Sequence, residues 1–240
     1  MDNFGPGQIF ELRAADTSLD TSSITTRFKI VCNLSVGFGK RSQVVGARNV
    51  DEPSAPLSVL KFYDPTFLDP RSCPEGRKAA CDIRRSTEAR AYRTLESLQG
   101  NGIPHFRGEY RYAKRDDVCT CFCYKVNLLD FVDDGIPLSD LRPGHFTVDQ
   151  KSSLASDAFI LLENMHTLGV YHHDLIASNC IWNGKSITII DFENATFRAN
   201  AEEDLIDEWI ALDKGQLMST LVESVGIEDT RPTYVEATSI

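Results

Sequence analysis

The spacing of apolar and polar positions divides the chain near residue 130, with strand-like periods before it and helical ones after. Residues 1–25 are polar, rich in Ser, Thr and Asp and nearly without period, which predicts an arm outside the core or along its edge. From Thr26, RFKIVCNLSVGFGKRSQVVGAR predicts two strands around a turn at Gly37 and Gly39, and LSVLKFY predicts a third strand carrying Lys61. RKAACDIRRSTEARAYRTLESLQ has no Pro or Gly and spaces Ala, Ile, Tyr and Leu at helical intervals, so a helix is expected around Glu88. Strands near FRGEYRYAKR and VCTCFCYKVNLL would complete a five-stranded sheet with one inserted helix.

After LLDFVDDGIPL the period becomes helical, and Asp149 to Leu168 carries Leu154, Ala158, Leu161, Leu162 and Met165 on one broad apolar face. NCIWN and SITIIDF flank Asn183 and Gly184 and read as a tight hairpin. An acidic helical stretch over roughly 201–225 follows, with Leu205, Trp209 and Leu212 on one stripe and Ile206, Ile210, Leu217 and Leu221 beside it.

Charge narrows the partners. The formal net charge of −10 argues against nucleic acid or an acidic membrane surface, apart from a local patch such as Arg84 and Arg85. No apolar run is long enough for a membrane span, and the first residues lack a secretory pattern, so an intracellular protein is expected. The seven cysteines read as free thiols; Cys119, Cys121 and Cys123 alternate as on one strand face, where packing is favoured over a thiolate metal site.

The chemistry concentrates in MHTLGVYHHDLIASNCIWNGKSITIIDFENA. Asp174 follows His172 and His173, Asn179 lies five positions beyond Asp174, and Asp191 ends an apolar strand. One carboxylate to orient or deprotonate a hydroxyl, with an Asn and a second carboxylate to hold magnesium against phosphates, is the set that phosphoryl transfer requires. His166 reads as a packing histidine, His172 as a brace for the loop, and Cys180 as a core residue. Asp204, Asp207 and Asp213 read as solvent-facing acids rather than anchors for loop amides.

HHDLIASN followed by IIDFE resembles the catalytic and metal-binding loops of the protein kinases and their aminoglycoside- and choline-kinase relatives. GFGKRSQV resembles their glycine-rich loop, VLK their phosphate-binding lysine strand, and EARAYRTL the helix whose carboxylate pairs with that lysine. The resemblance implies a two-lobed α+β fold, with an N-lobe over 26–130 made of a five-stranded antiparallel sheet plus one helix, and a reduced helical C-lobe over 131–240. It implies ATP and magnesium as cofactors. Asp174, Lys61 and Glu88 would be catalytic; Gly37, Gly39, Val44, Lys61, Asp130 and Phe131 would bind nucleotide; Asn179 and Asp191 would bind the metal. Asp130 and Phe131 would do so as a hinge whose backbone meets the adenine edge.

The pattern also departs from that family. Glu193 stands where the metal loop usually has Gly, His173 replaces the usual Arg, and no peptide-docking Ala-Pro-Glu sequence follows. The acceptor hydroxyl, on protein Ser/Thr or a small molecule, stays open. A catalytically weak nucleotide-binding scaffold and a subunit completed by a partner protein are the alternatives.

Overall fold

The computed structural model describes residues 4–15, 25–69, 71–112 and 124–228. Strands β1 (Ile9–Ala14), β2 (Thr25–Ser35), β3 (Gln43–Asn49) and β4 (Ser58–Tyr63) lead to helix α1 (Pro74–Thr94), and strands β5 (Phe106–Tyr112) and β6 (Tyr124–Asp130) follow. The order is β1-β2-β3-β4-β6-β5, every pair is antiparallel, and β1 also pairs with β5 through Leu12 opposite Tyr112.

The sheet is therefore a closed six-stranded barrel. This overturns the expected two-lobed protein-kinase-like fold with its five-stranded sheet. The missing strand lies inside the expected arm. In IFELRA, Phe10 and Leu12 are fully buried while Ile9, Glu11 and Arg13 face out, a period of two too short to stand out within a polar stretch. Phe4 joins it, stacking on Phe10 and packing against Phe62.

Alternation fixes what each barrel wall presents. Phe10, Leu12, Phe28, Ile30, Val45, Ala47, Leu60, Phe62, Val126 and Leu128 fill the interior. Their neighbours Lys61, Asn127 and Leu129 consequently point outward. Lys61 lies directly opposite Val44 on one side and Asn127 on the other, so these three share the outer face. Helix α1 lies against this face, begins with Pro74 after an N-cap in which Cys73 Sγ accepts the Gly76 amide, and buries Glu88, Ala89, Ala91 and Tyr92.

A second core lies outside the barrel. It gathers Leu154, Ala158, Leu161, Leu162 and Met165 from α2 (Val148–Thr167), Leu217, Leu221 and Val225 from α3 (Glu203–Val225), and Leu175, Ile189 and Phe192 between them. α2 opens on a capping box between Thr147 and Gln150. Small strands complete this half: β7 (Ile136–Pro137), β8 (Val170–Tyr171), β9 (Cys180–Trp182), β10 (Ile187–Ile189) and β11 (Thr196–Phe197).

The hairpin at Asn183 and Gly184 forms as β9 and β10, with Asn183 Oδ1 accepting the amides of Lys185 and Ser186. On α3 the buried side is Asp213, Leu217, Thr220, Leu221, Ser224 and Val225, while Leu212, placed on the expected apolar stripe, is exposed. The cysteines 119, 121 and 123 lie outside the described residues. No helix among those described is long and apolar enough to cross a membrane.

Candidate functional site

The site forms where the outer face of the barrel, α1 and the two loops around β9 and β10 meet. Lys61 Nζ donates to Glu88 Oε1 at 2.9 Å and to Asp191 Oδ1 at 2.6 Å, joining residues 27 and 130 positions away along the chain. Glu88 is also held by Tyr63, whose hydroxyl donates to Oε2 at 2.5 Å, and by Asn127 Nδ2 at 2.9 Å. A buried carboxylate needs such donors, because burial of an unpaired charge costs several kcal/mol. Burial works against the Lys61 ammonium, but Asp191 and Glu88 outweigh it and hold its pKa well above the ordinary lysine value. Burial likewise pushes the Asp191 carboxyl up, and the charge and hydrogen bond of Lys61 bring it below the usual carboxylate range.

The loop from His172 to Asp174 is fixed from three sides. His172 is fully buried; its Nε2 faces the Ile190 carbonyl at 2.9 Å, and its Nδ1 accepts the Asp174 amide at 3.2 Å. Those partners require the neutral tautomer with the proton on Nε2, and burial lowers the pKa of this imidazole. Asp213 accepts the amides of His172 and His173 at 2.8 and 2.7 Å and faces His166 Nε2 at 2.9 Å. Gln216 accepts the Leu175 amide and donates to the His173 carbonyl. His173 and Asp191 both have positive φ, 61° and 68°, a conformation that costs a β-carbon-bearing residue about 1 kcal/mol or more. The Asp213 bond to the His173 amide helps hold that conformation.

Asp174 emerges from this frame with its carboxylate addressed by two amides. Asn194 Nδ2 donates to Oδ2 at 3.2 Å, and Asn179 Nδ2 donates to the Asp174 carbonyl at 2.9 Å and approaches Oδ2 at 3.4 Å. The Ile190 amide donates to the Asn179 backbone carbonyl at 3.0 Å, which ties the segment carrying Asp174 to the one carrying Asp191. Neither family models nor curated proteins match this chain. The functional reading accordingly rests on this geometry and on the motifs.

The residues expected to meet nucleotide divide. Gly37 and Gly39 have φ of 147° and 80° in open space, so it is backbone conformation and not crowding that calls for glycine there. Buried Gln43 clasps the turn, accepting the Gly37 amide at 2.7 Å and donating to its carbonyl at 3.0 Å. Val44 stands directly opposite Lys61 on the neighbouring strand. The hinge is different: the Asp130 amide donates to the His105 carbonyl, the Phe131 amide donates to the Leu57 carbonyl, and the Asp130 carboxylate forms a two-pronged pair with Arg107 at 2.7 Å. These amides are therefore engaged within the chain. Phe131 instead brings its ring to within 3.8 Å of where a β-carbon on Gly46 would stand.

Glu193 is buried deep in the site, with Oε2 3.6 Å from Lys61 Nζ. Burial raises its pKa, assisted by the Asp191 and Glu88 charges and opposed by Lys61 and Arg41. Arg41 reaches across from the glycine turn to Glu193 and Asn194.

Among the described residues no three His, Cys, Asp or Glu side chains form a ready metal cage. Magnesium does not need one, because it is commonly held by one or two carboxylates with substrate phosphates and water completing the shell. Asp191 and the side-chain oxygen Oδ1 of Asn179, left over once Nδ2 turns to Asp174, are donors of that kind.

Other expectations find direct answers. Burial pushes the Cys180 thiol up to about 12, which suits a core residue and not a nucleophile. Asp213 is an anchor for loop amides, not a solvent-facing acid, and His166 is its partner. Arg85 pairs with Glu109, so the Arg84 and Arg85 patch is partly neutralised. Sequence reading missed Asn127, Gln43, Asn194 and Arg41. Asn127 alone carried a signal, as a polar residue on the same wall as Lys61 one strand away.

Proposed function

We propose that this protein is an ATP- and magnesium-dependent phosphotransferase that moves the γ-phosphoryl group to a hydroxyl acceptor, using protein-kinase-like site chemistry on a closed barrel. The observation that carries the reading is the meeting of Lys61, Glu88 and Asp191 within hydrogen-bond distance, with Asp174 and Asn179 in the adjoining loop. Lys61 is a fixed charge for the phosphates, oriented by Glu88 as Tyr63 and Asn127 hold that carboxylate still. Magnesium, when bound by Asp191 and Asn179, neutralises charge on the phosphates. Asp174, aimed by Asn194, accepts the hydroxyl proton as the acceptor oxygen attacks phosphorus and ADP leaves. Positioning and charge neutralisation supply most of the rate enhancement in such transfers.

A second reading has support from Glu193. An acid buried beside Lys61 and Asp191 competes for the same cation, which favours a nucleotide-binding scaffold with little turnover. Thermal shift with magnesium and ATP, run beside an ATP hydrolysis assay on wild type, Asp191→Ala and Asp174→Ala, separates the two. A phosphotransferase is stabilised by the nucleotide, loses that stabilisation in Asp191→Ala, and loses turnover in Asp174→Ala. Stabilisation without turnover selects the scaffold, and no stabilisation of wild type overturns both.

A further inference from the structure

Arg41 lies in the turn between β2 and β3, yet its Nη1 reaches 152 and 153 positions along the chain, to Glu193 Oε1 at 3.4 Å and Asn194 Oδ1 at 3.3 Å. Both contacts are at the long end for hydrogen bonds, one nitrogen makes both, and the Arg41 side chain is 54% exposed. A guanidinium carries five donors in a planar fork that matches phosphate oxygens two at a time. The contact seen here uses little of that capacity and is easily exchanged.

The charges around it call for a second cation once phosphates enter. Asp174, Asp191 and Glu193 bring three carboxylates to the place assigned to the phosphates, and Lys61 is already engaged by Glu88 and Asp191. Arg41 is the other cation in contact with this group of residues among the described ion pairs. Its long side chain is half exposed, so rotations about its own bonds can aim the guanidinium into the site.

We propose that Arg41 is the residue that holds the terminal phosphate of bound ATP, leaving Glu193 and Asn194 for phosphate oxygens when the nucleotide arrives. The inference rests on the nucleotide reading above and adds a residue to it. It also couples binding to chemistry. When Arg41 leaves, Asn194 keeps its hold on Asp174 through Nδ2 and loses its own restraint at Oδ1, so occupancy of the terminal phosphate position is felt at the carboxylate that receives the acceptor proton.

Calorimetric titration of wild type, Arg41→Ala and Arg41→Lys with ATP, ADP and AMP, all in magnesium, tests this. Arg41→Ala is expected to weaken ATP by about tenfold or more, the size of one charge-assisted hydrogen bond, with ADP and AMP nearly unchanged and Arg41→Lys intermediate. Equal weakening of all three nucleotides, or an unchanged preference for ATP over ADP in both variants, overturns the Arg41 assignment and leaves the nucleotide reading intact. Failure of wild type to bind any of them overturns the nucleotide reading, and this inference with it.

Discussion

Asp213 Oδ1 accepts the backbone amide of His173 at 2.7 Å from a helix that begins 30 residues further along the chain. The same carboxylate takes the His172 amide and meets His166, so one α3 side chain satisfies three donors in a fully buried position. Replacing Asp213 with Ala strands those donors and is expected to cost about 3–5 kcal/mol in a urea denaturation experiment. Asp213→Asn keeps an acceptor for one amide and should lose roughly half as much. Equal stability of Asp213→Ala and wild type would remove Asp213 as the anchor of the loop carrying Asp174.

The Lys61 and Glu88 pair gives a separate test. Lys61→Met leaves the Glu88 carboxylate buried with only Tyr63 and Asn127, and a destabilisation of about 3 kcal/mol or more is expected. Adding Glu88→Gln removes the stranded charge and should restore much of the loss, while nucleotide-induced stabilisation stays absent in both variants. A double variant no more stable than the single one would show that the two residues are not coupled.

Stability should fall on acidification in two steps. Burial depresses the His172 pKa, so the unfolded chain takes up a proton first, and stability begins to decline as pH drops through about 6.5, the unfolded histidine value. Asp213 and Asp191 are held below the ordinary carboxylate value, and their contribution is complete above about pH 4 and lost as pH falls through the depressed folded values. Unfolding free energy measured from pH 8 to pH 3 checks this. Glu193, whose pKa burial raises, contributes the opposite slope, so the test is run in Glu193→Gln, where a flat profile between pH 7 and pH 5 would contradict the buried neutral state of His172.

Gln43 is expected to matter for binding about as much as for folding. Gln43→Ala removes both bonds to Gly37 and should cost about 1–2 kcal/mol of stability, and lower ATP affinity roughly tenfold because the turn must then be ordered by the ligand itself. Unchanged affinity in a folded Gln43→Ala protein would show that the turn does not contact the nucleotide.

Much of the site was legible because its residues are chemically conspicuous and their spacing is set by local structure. Asp174 and Asn179 share one loop, Asp191 ends a short strand, and Lys61 with Glu88 was marked by the kinase resemblance, since neither the alternation of β4 nor the period of α1 pairs them on its own. What stayed hidden depends on long-range pairing. Asp213 looks like its acidic neighbours Asp204 and Asp207, and only the packing of α3 under the loop distinguishes it. The internal partners of the Asp130 and Phe131 amides are long-range in the same way: they come from His105 and Leu57, which no local pattern brings near. The barrel was missed because closure is decided by β1, a strand of six residues with only two fully buried side chains.

That short strand has an outsized effect on how the protein meets other chains. Because β1 is bonded to β2 on one side and β5 on the other, the sheet offers no unpaired backbone edge on which a foreign strand could template itself. Removal of the segment before Thr25 would therefore do more than trim a terminus. It would expose two open edges and the aromatic interior beneath them, turning a self-contained ring into a surface prone to intermolecular strand pairing.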